Sequence, residues 1–229
     1  MKSIKPHRLL KTTLLVACGF AFAASSAWAT LVTWQLNPNS SDGAVGSSSK
    51  VYTLPPGYSI TAYGYDNNNG IGSAHELFYR FAPGDEHGLG ITGTTHNELQ
   101  VDHNGNPLQF IQLDLTSIIS QGFTNFQIQV ASVQAGESFN LYASNALGHL
   151  GTLLSGGPYG SGKDDVFINV PNLGTNHFLS IVAAAADVLP VAFRATIVPI
   201  PEAASLIPAL CLVVLATAFE VRRRRRQGA

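Results

Sequence analysis

From residue 30 to residue 199 no segment carries apolar side chains at the three-four spacing of a packed helix over ten to twelve positions. Short runs rich in Val, Ile, Phe, Tyr and Thr recur there instead, separated by Gly, Pro and Asn. The runs predict strands at Leu31–Leu36, Lys50–Leu54, Tyr58–Tyr65, Glu76–Phe81, Glu98–Val101, Leu108–Leu115, Phe123–Val133, Ser138–Ser144, Asp165–Val170, Phe178–Ala184 and Val191–Val198. Many short strands broken by such turns imply an all-β fold, and we expect an antiparallel β-sandwich or jelly roll. The 170 residues from Thr30 to Pro199 suffice for one hydrophobic core, so one domain is expected over 30–199.

The clearest local piece runs from Leu99 through His103-Asn104-Gly105-Asn106 into the strand Leu108–Leu115. Asn-Gly accepts the positive φ angles of a tight turn, so a hairpin is expected. In its second strand Leu108 and Phe110 share one phase, whereas Ile111, Leu113 and Leu115 share the other. A β-bulge at Phe110-Ile111 would turn both sets toward the core.

The formal net charge of -1 conceals a segregation. Four cations and no acid precede Thr30, and five arginines close the other end. Between them only Lys50, Arg80, Lys163 and Arg194 oppose twelve Asp and Glu, a net charge of -8 for the middle. Scattered cations on an acidic domain cannot neutralise a run of phosphates, which excludes nucleic acid as its partner. Both cysteines, Cys18 and Cys211, lie outside this middle, so a disulfide framework and a thiolate zinc site are excluded there.

The basic ends flank apolar runs. Met1 to Lys11 is cationic, Thr12 to Ala24 is apolar, and Ala27-Trp28-Ala29 places small residues where signal peptidase reads them. Residues 1–29 are therefore expected to be a signal peptide, cleaved after Ala29. The alternative at this end is a lipidated Cys18, because Leu15-Val16-Ala17-Cys18 resembles a lipoprotein box. At the other end Ala203 to Val221 is a 19-residue run broken only by Ser205, Thr217 and Glu220. As a helix it would extend about 28 Å, close to a hydrocarbon core of about 30 Å. Arg222, Arg223, Arg224, Arg225 and Arg226 would hold its end in the cytoplasm and leave 30–199 on the opposite face of the inner membrane.

With Pro201-Glu202-Ala203 ahead of that run and the arginines behind it, residues 200–226 resemble the PEP-CTERM sorting signal of Gram-negative bacteria. That signal combines a Pro-Glu-Pro box, a transmembrane helix and an arginine cluster in this order. Pro201 and Glu202 match the box, and Ala203 departs from its third position. The resemblance implies an exosortase as processing partner, a membrane enzyme with a cysteine nucleophile that removes the helix near the box. It also implies delivery to the cell surface or extracellular matrix, where such proteins are associated with exopolysaccharide and biofilm. It supplies no chemical activity for the domain.

Several patterns in the domain look chemical. Gly88-Leu89-Gly90-Ile91-Thr92-Gly93 satisfies the dinucleotide motif G-x-G-x-x-G, but Thr94 to Val101 is β-branched or polar and predicts no helix to receive a pyrophosphate. Gly157-Pro158-Tyr159-Gly160-Ser161-Gly162-Lys163 follows the P-loop pattern until Asp164, an acid where a magnesium-binding hydroxyl belongs. Both read as glycine-rich connections. Six histidines fall in the domain without metal-ligand spacing. Loop oxygens at Asp66, Asn68, Asp102 and Asn104 are read first as ordinary Asx-turns, with a structural calcium, the one cofactor these residues would suit, as the alternative. No G-x-S-x-G elbow, cysteine nucleophile or placeable carboxylate pair supports catalysis, and no catalytic residue is assigned. Tyr58, Tyr63, Tyr65 and Tyr159 would suit stacking on sugar rings or the edge of a β core. The expectation is a noncatalytic exported protein associated with exopolysaccharide. The alternatives are a secreted carbohydrate-active enzyme, or a binding protein held by its helix or by a lipidated Cys18.

Overall fold

The computed structural model describes residues 29–198 except 39, 40 and 83–85, together with the isolated positions 217, 223, 224 and 227. The strands are β1 (Thr30–Gln35), β2 (Gly43–Ala44), β3 (Ser49–Leu54), β4 (Tyr58–Asn68), β5 (Ile71–Ala74), β6 (Leu77–Ala82), β7 (Glu86–Ile91) and β8 (Gln109–Asp114). A five-residue helix, α1 (Thr116–Ser120), follows. Beyond it lie β9 (Thr124–Ala131), β10 (Ser138–Ser144), β11 (Thr152–Leu153), β12 (Tyr159–Gly160), β13 (Val166–Asn169), β14 (Phe178–Ala185) and β15 (Leu189–Ile197). The unit Thr30–Ile197 is all-β.

Every strand pairing is antiparallel, in three sheets. One has the order β1-β15-β9-β13. A larger one of eight strands runs β11-β10-β14-β8-β4-β3, with β12 added to β10 and β5 to β4. The third is β2-β6-β7. Consecutive strands pair at β3–β4, β4–β5, β6–β7 and β10–β11, whereas β1 and β15 pair although they lie far apart in the chain.

Alternation explains which side chains meet. Val32 and Trp34 of β1, Ile60 and Ala62 of β4, Ile111 and Leu113 of β8, Phe139 and Leu141 of β10, Leu179 and Ile181 of β14 and Phe193 of β15 all join one core. That core also takes in Leu77 and Tyr79 of β6 and Leu89 and Ile91 of β7. Trp34 stands at its centre, 1% exposed, with ring centroids 5.7 Å from Phe123 and 5.9 Å from Phe193. Its indole Nε1 donates to the Tyr58 carbonyl at 3.1 Å, which satisfies the polar end of a buried ring.

The described residues correct three expectations. β8 contains no bulge: Phe110 pairs with Tyr65 and Ile111 with Gly64 in unbroken register. Both phases are apolar because both faces of this central strand are covered, Ile111 and Leu113 by the main core and Phe110 by a second cluster of Tyr65, Leu150 and Val182. Glu98–Val101 forms no strand and keeps only the isolated bridges Leu99 to Val188 and Val101 to Pro107. The glycine pattern at 88–93 is largely strand, β7, where close approach demands glycine: a Cβ on Gly90 would lie 1.7 Å from the Asn97 carbonyl oxygen. The hairpin tip after Asp102 is present, with Gly105 at φ 79° and its N–H donating to the Asp102 carbonyl at 3.0 Å.

The two ends of the unit are neighbours. Thr30 is the register partner of Ile197, and Leu31 is that of Thr196. Among the described residues no helix is long and apolar enough to cross a membrane. The expected anchor 203–221 lies outside the described residues apart from Thr217.

Candidate functional site

The outward face of the eight-stranded sheet carries the most distinctive surface chemistry. One register row crosses it from Ser49 through Tyr63, Gln112, Ser180 and Tyr142 to Leu153. Neighbouring strands lie about 4.8 Å apart, so Tyr63 and Tyr142 stand about 14 Å from each other on either side of Gln112 and Ser180. Both tyrosines are half-buried. Tyr63 stacks on Tyr65 with centroids 6.3 Å apart and planes 19° from parallel. Tyr65 lies deeper, against Phe110 at 5.0 Å, and burial raises its hydroxyl pKa, with Tyr63 adding to the shift.

A strap formed by residues 145–150 covers the middle of this face, and Gln112 pins it. Gln112 is fully buried, and its Nε2 donates to the His149 carbonyl at 2.8 Å and to Ser180 Oγ at 3.1 Å. Its Oε1 accepts the Gly148 N–H at 2.8 Å. The strap also meets the β4–β5 turn, since Gly72 N–H donates to the Gly148 carbonyl and Leu150 N–H to that of Gly70. Beside it His75 Nδ1 lies 2.8 Å from Asp66 Oδ2. The part of the face outside the strap offers the flat Tyr63 ring beside the partly exposed Ser49, Thr61 and Asp114. Of the four tyrosines singled out in the sequence, only Tyr63 and Tyr65 lie together. Tyr58 packs edge-on against Phe123 at 4.9 Å and Tyr159 stacks on Phe139 at 5.1 Å, both beside the main core.

A second polar centre gathers beside the three-stranded sheet. Glu98 is 1% exposed; its Oε2 accepts from Ser132 Oγ at 3.1 Å, while its Oε1 has no hydrogen-bond partner. Arg80 Nε lies 3.9 Å from that oxygen, and the same guanidinium reaches Glu86 at 3.7 Å and Asp42 at 2.9 Å. Burial, and then the Glu86 charge, push the Glu98 carboxyl up to about 7. Glu137 is raised in the same direction, chiefly by burial, with Asp187, Glu86 and Asp164 adding to it.

Of the four calcium candidates, Asp102 bonds within its own turn. Asp102 accepts the N–H groups of Asn104 and Asn106, both at 2.8 Å, and the Asn106 side chain at 3.1 Å. That last bond leads the causes that lower the Asp102 pKa. Asp66 is engaged by His75, and Asn68 is exposed at the end of β4 opposite Ile71. Between Asp66 and Asn68, Asn67 ties β4 to the Pro107 carbonyl at 2.8 Å and accepts the Gly70 N–H at 2.8 Å. Among the described residues no three His, Cys, Asp or Glu come together to hold a metal ion.

Of the processing residues, Ala29 is exposed outside secondary structure, and Arg223 and Arg224 are helical and exposed. Ala27, Pro201, Glu202, Ala203, Arg222, Arg225 and Arg226 lie outside the described residues. The sequence passed over Gln112 and Ser132, whose only signal was polarity amid apolar neighbours. Compared with known proteins, the chain matches no family model, no curated protein and no solved structure.

Proposed function

We propose that this chain is an exported, noncatalytic protein of the bacterial cell surface or extracellular matrix, sorted by an exosortase and contacting exopolysaccharide through the tyrosine-bearing outer sheet face. The delivery rests on the resemblance of residues 200–226 to a sorting signal, with signal peptidase acting after Ala29. The four-stranded and eight-stranded sheets, both contributing to one core, are taken to form a β-sandwich. The observation that carries the ligand assignment is the stacked Tyr63–Tyr65 pair on a strand face otherwise lined by Ser49, Thr61 and Asp114. A half-exposed aromatic ring among hydroxyls stacks on the C–H face of a pyranose while its neighbours bond the ring substituents.

Two measurements test the two halves of the proposal. Intact mass of the mature protein, from cells with and without the exosortase, should start at Thr30 in both and lack 203–226 only where the enzyme is present. Retention of that segment in both strains removes the sorting half. On immobilised exopolysaccharide from the producing cells, Tyr63→Ala should bind about tenfold more weakly, the loss of about 1.4 kcal/mol of stacking. Unchanged retention, or release of glycan fragments by the wild type, overturns the ligand half.

A further inference from the structure

The outward face of the four-stranded sheet holds a cation that the chain leaves without a counter-charge. Trp34, Phe193, Ile128 and Ile168 point into the main core. The next residues along the same strands, Thr33, Arg194, Gln127 and Asn169, are register partners in turn and form a row on the opposite face. Gln129 and Phe167 belong to the neighbouring row. From β15 the Arg194 side chain reaches across β9 to β13, where its guanidinium carbon lies 3.8 Å from the centre of the Phe167 ring. Its Nε donates to Gln127 Oε1, and Gln127 Nε2 donates in turn to Asn169 Oδ1.

The stack and the bond fix the plane of the guanidinium and leave its two terminal nitrogens without a partner among the described residues. Arg80, the other arginine of the unit, is met by Asp42, Glu86 and Glu98. No carboxylate among the described residues comes within ion-pair distance of Arg194. Even Asp165, just ahead of β13, is turned to Gln129, whose Nε2 donates to it at 2.7 Å. A guanidinium held in one plane presents two parallel N–H donors, the geometry that a carboxylate accepts in bidentate fashion.

The rest of the face selects what carries that carboxylate. β15 and β9 are interior strands, paired on both sides, so an extended peptide finds no free backbone edge to join here. Beside the guanidinium stand the hydroxyl of Thr33 and the amides of Gln127, Gln129 and Asn169. Such groups both donate and accept, which matches the hydroxyls of a sugar ring. We propose that this face binds a uronate, a sugar ring bearing a carboxylate, with the carboxylate on the terminal nitrogens of Arg194 and the ring hydroxyls on the neighbouring amides. The acids elsewhere in the domain repel such a ligand only weakly at contact, because at about 0.15 M salt exposed charges farther than about 8 Å are largely screened. The site lies on a different sheet from Tyr63 and requires neither that face nor the sorting route.

The test titrates the isotope-labelled full chain in detergent micelles at about 0.15 M salt with three probes. Trigalacturonate carries rings and carboxylates, its methyl ester keeps the rings without the charges, and a triglutamate peptide keeps the charges without the rings. Trigalacturonate should shift the Arg194 Nε–H resonance and the side-chain amide signals of Gln127 and Asn169 saturably. The ester and the peptide should each bind about tenfold more weakly. Arg194→Lys keeps the charge and loses the fork, so it should weaken trigalacturonate binding about tenfold with little change in Tm. Tyr63→Ala should leave that binding unchanged, which separates this site from the tyrosine face. Equal binding of acid and ester, equal binding of the peptide, or the absence of shifts at Arg194 would overturn the proposal. Should R194K fail to fold, the comparison of acid with ester on the wild type decides.

Discussion

Gln112 in the eight-stranded sheet and Glu98 beside the three-stranded sheet are both buried polar side chains that join distant parts of the chain, and they are satisfied to different degrees. Gln112 is neutral and makes three hydrogen bonds, to His149, Ser180 and Gly148. Glu98 is ionisable, makes one bond from Ser132, and leaves an oxygen without a partner. A neutral, satisfied group fixes its strap at any pH, whereas the contribution of a buried carboxyl raised to about 7 is expected to change with pH. The difference teaches that burial alone does not say whether a polar residue is a fastener or a sensor. The count of donors against acceptors does.

The largest effect that would sharpen this contrast is expected from Gln112→Ala. It removes three bonds and leaves the Gly148 N–H and Ser180 hydroxyl buried beside a void, a loss of about 3 kcal/mol. Urea unfolding should give nearly the same loss at pH 5 and pH 8; a strong pH dependence would break the comparison. Ser132→Ala comes next. The hydroxyl bonds Glu98 Oε2 and favours its ionised form, so its removal should cost about 1 kcal/mol at pH 8.5, where the carboxylate needs it, and less at pH 5. The same change should move the Glu98 titration to higher pH, read from the carbon-13 shift of its carboxyl. Tyr63→Ala should cost about 1 kcal/mol of unfolding free energy, since the ring is half-buried on Tyr65, and should leave the pH profile alone. The smallest effect belongs to Asp102. Its carboxyl is lowered chiefly by Asn106, so the turn holds at and above the ordinary value of 3.8 and loosens only as pH falls below it. Faster exchange of the Asn104 and Asn106 amides on acidification alone is the expected sign.

Much of the strand content could be read from the chain because period-two alternation is local. Ser138–Ser144 coincides with β10, and Tyr58–Tyr65 begins where β4 begins. What failed depended on partners remote in sequence. Phe110 and Ile111 suggested a bulge because a covered outer face is invisible until the strap at 145–150 is known to lie on it. β7 was passed over because its glycines, set by packing against Asn97 and Leu189, imitate a nucleotide motif. The same limit hid the candidate sites. Gln112 meets Gly148 across 36 residues and Glu98 meets Ser132 across 34, and no spacing rule links them. Tyr63 and Tyr65 were legible as a pair because two residues along a strand share a face.

The pairing of Thr30 with Ile197 makes the unit nearly a closed ring. Partner Cα atoms across an antiparallel pair are about 5 Å apart, so a linker of a few residues would join the ends without disturbing β1 or β15. A circular permutant joined there and opened at the exposed Asn104–Gly105 tip should preserve all three sheets. The place at which such a ring is cut is then a matter of attachment, and the module can be carried at the end of another chain or inserted within one.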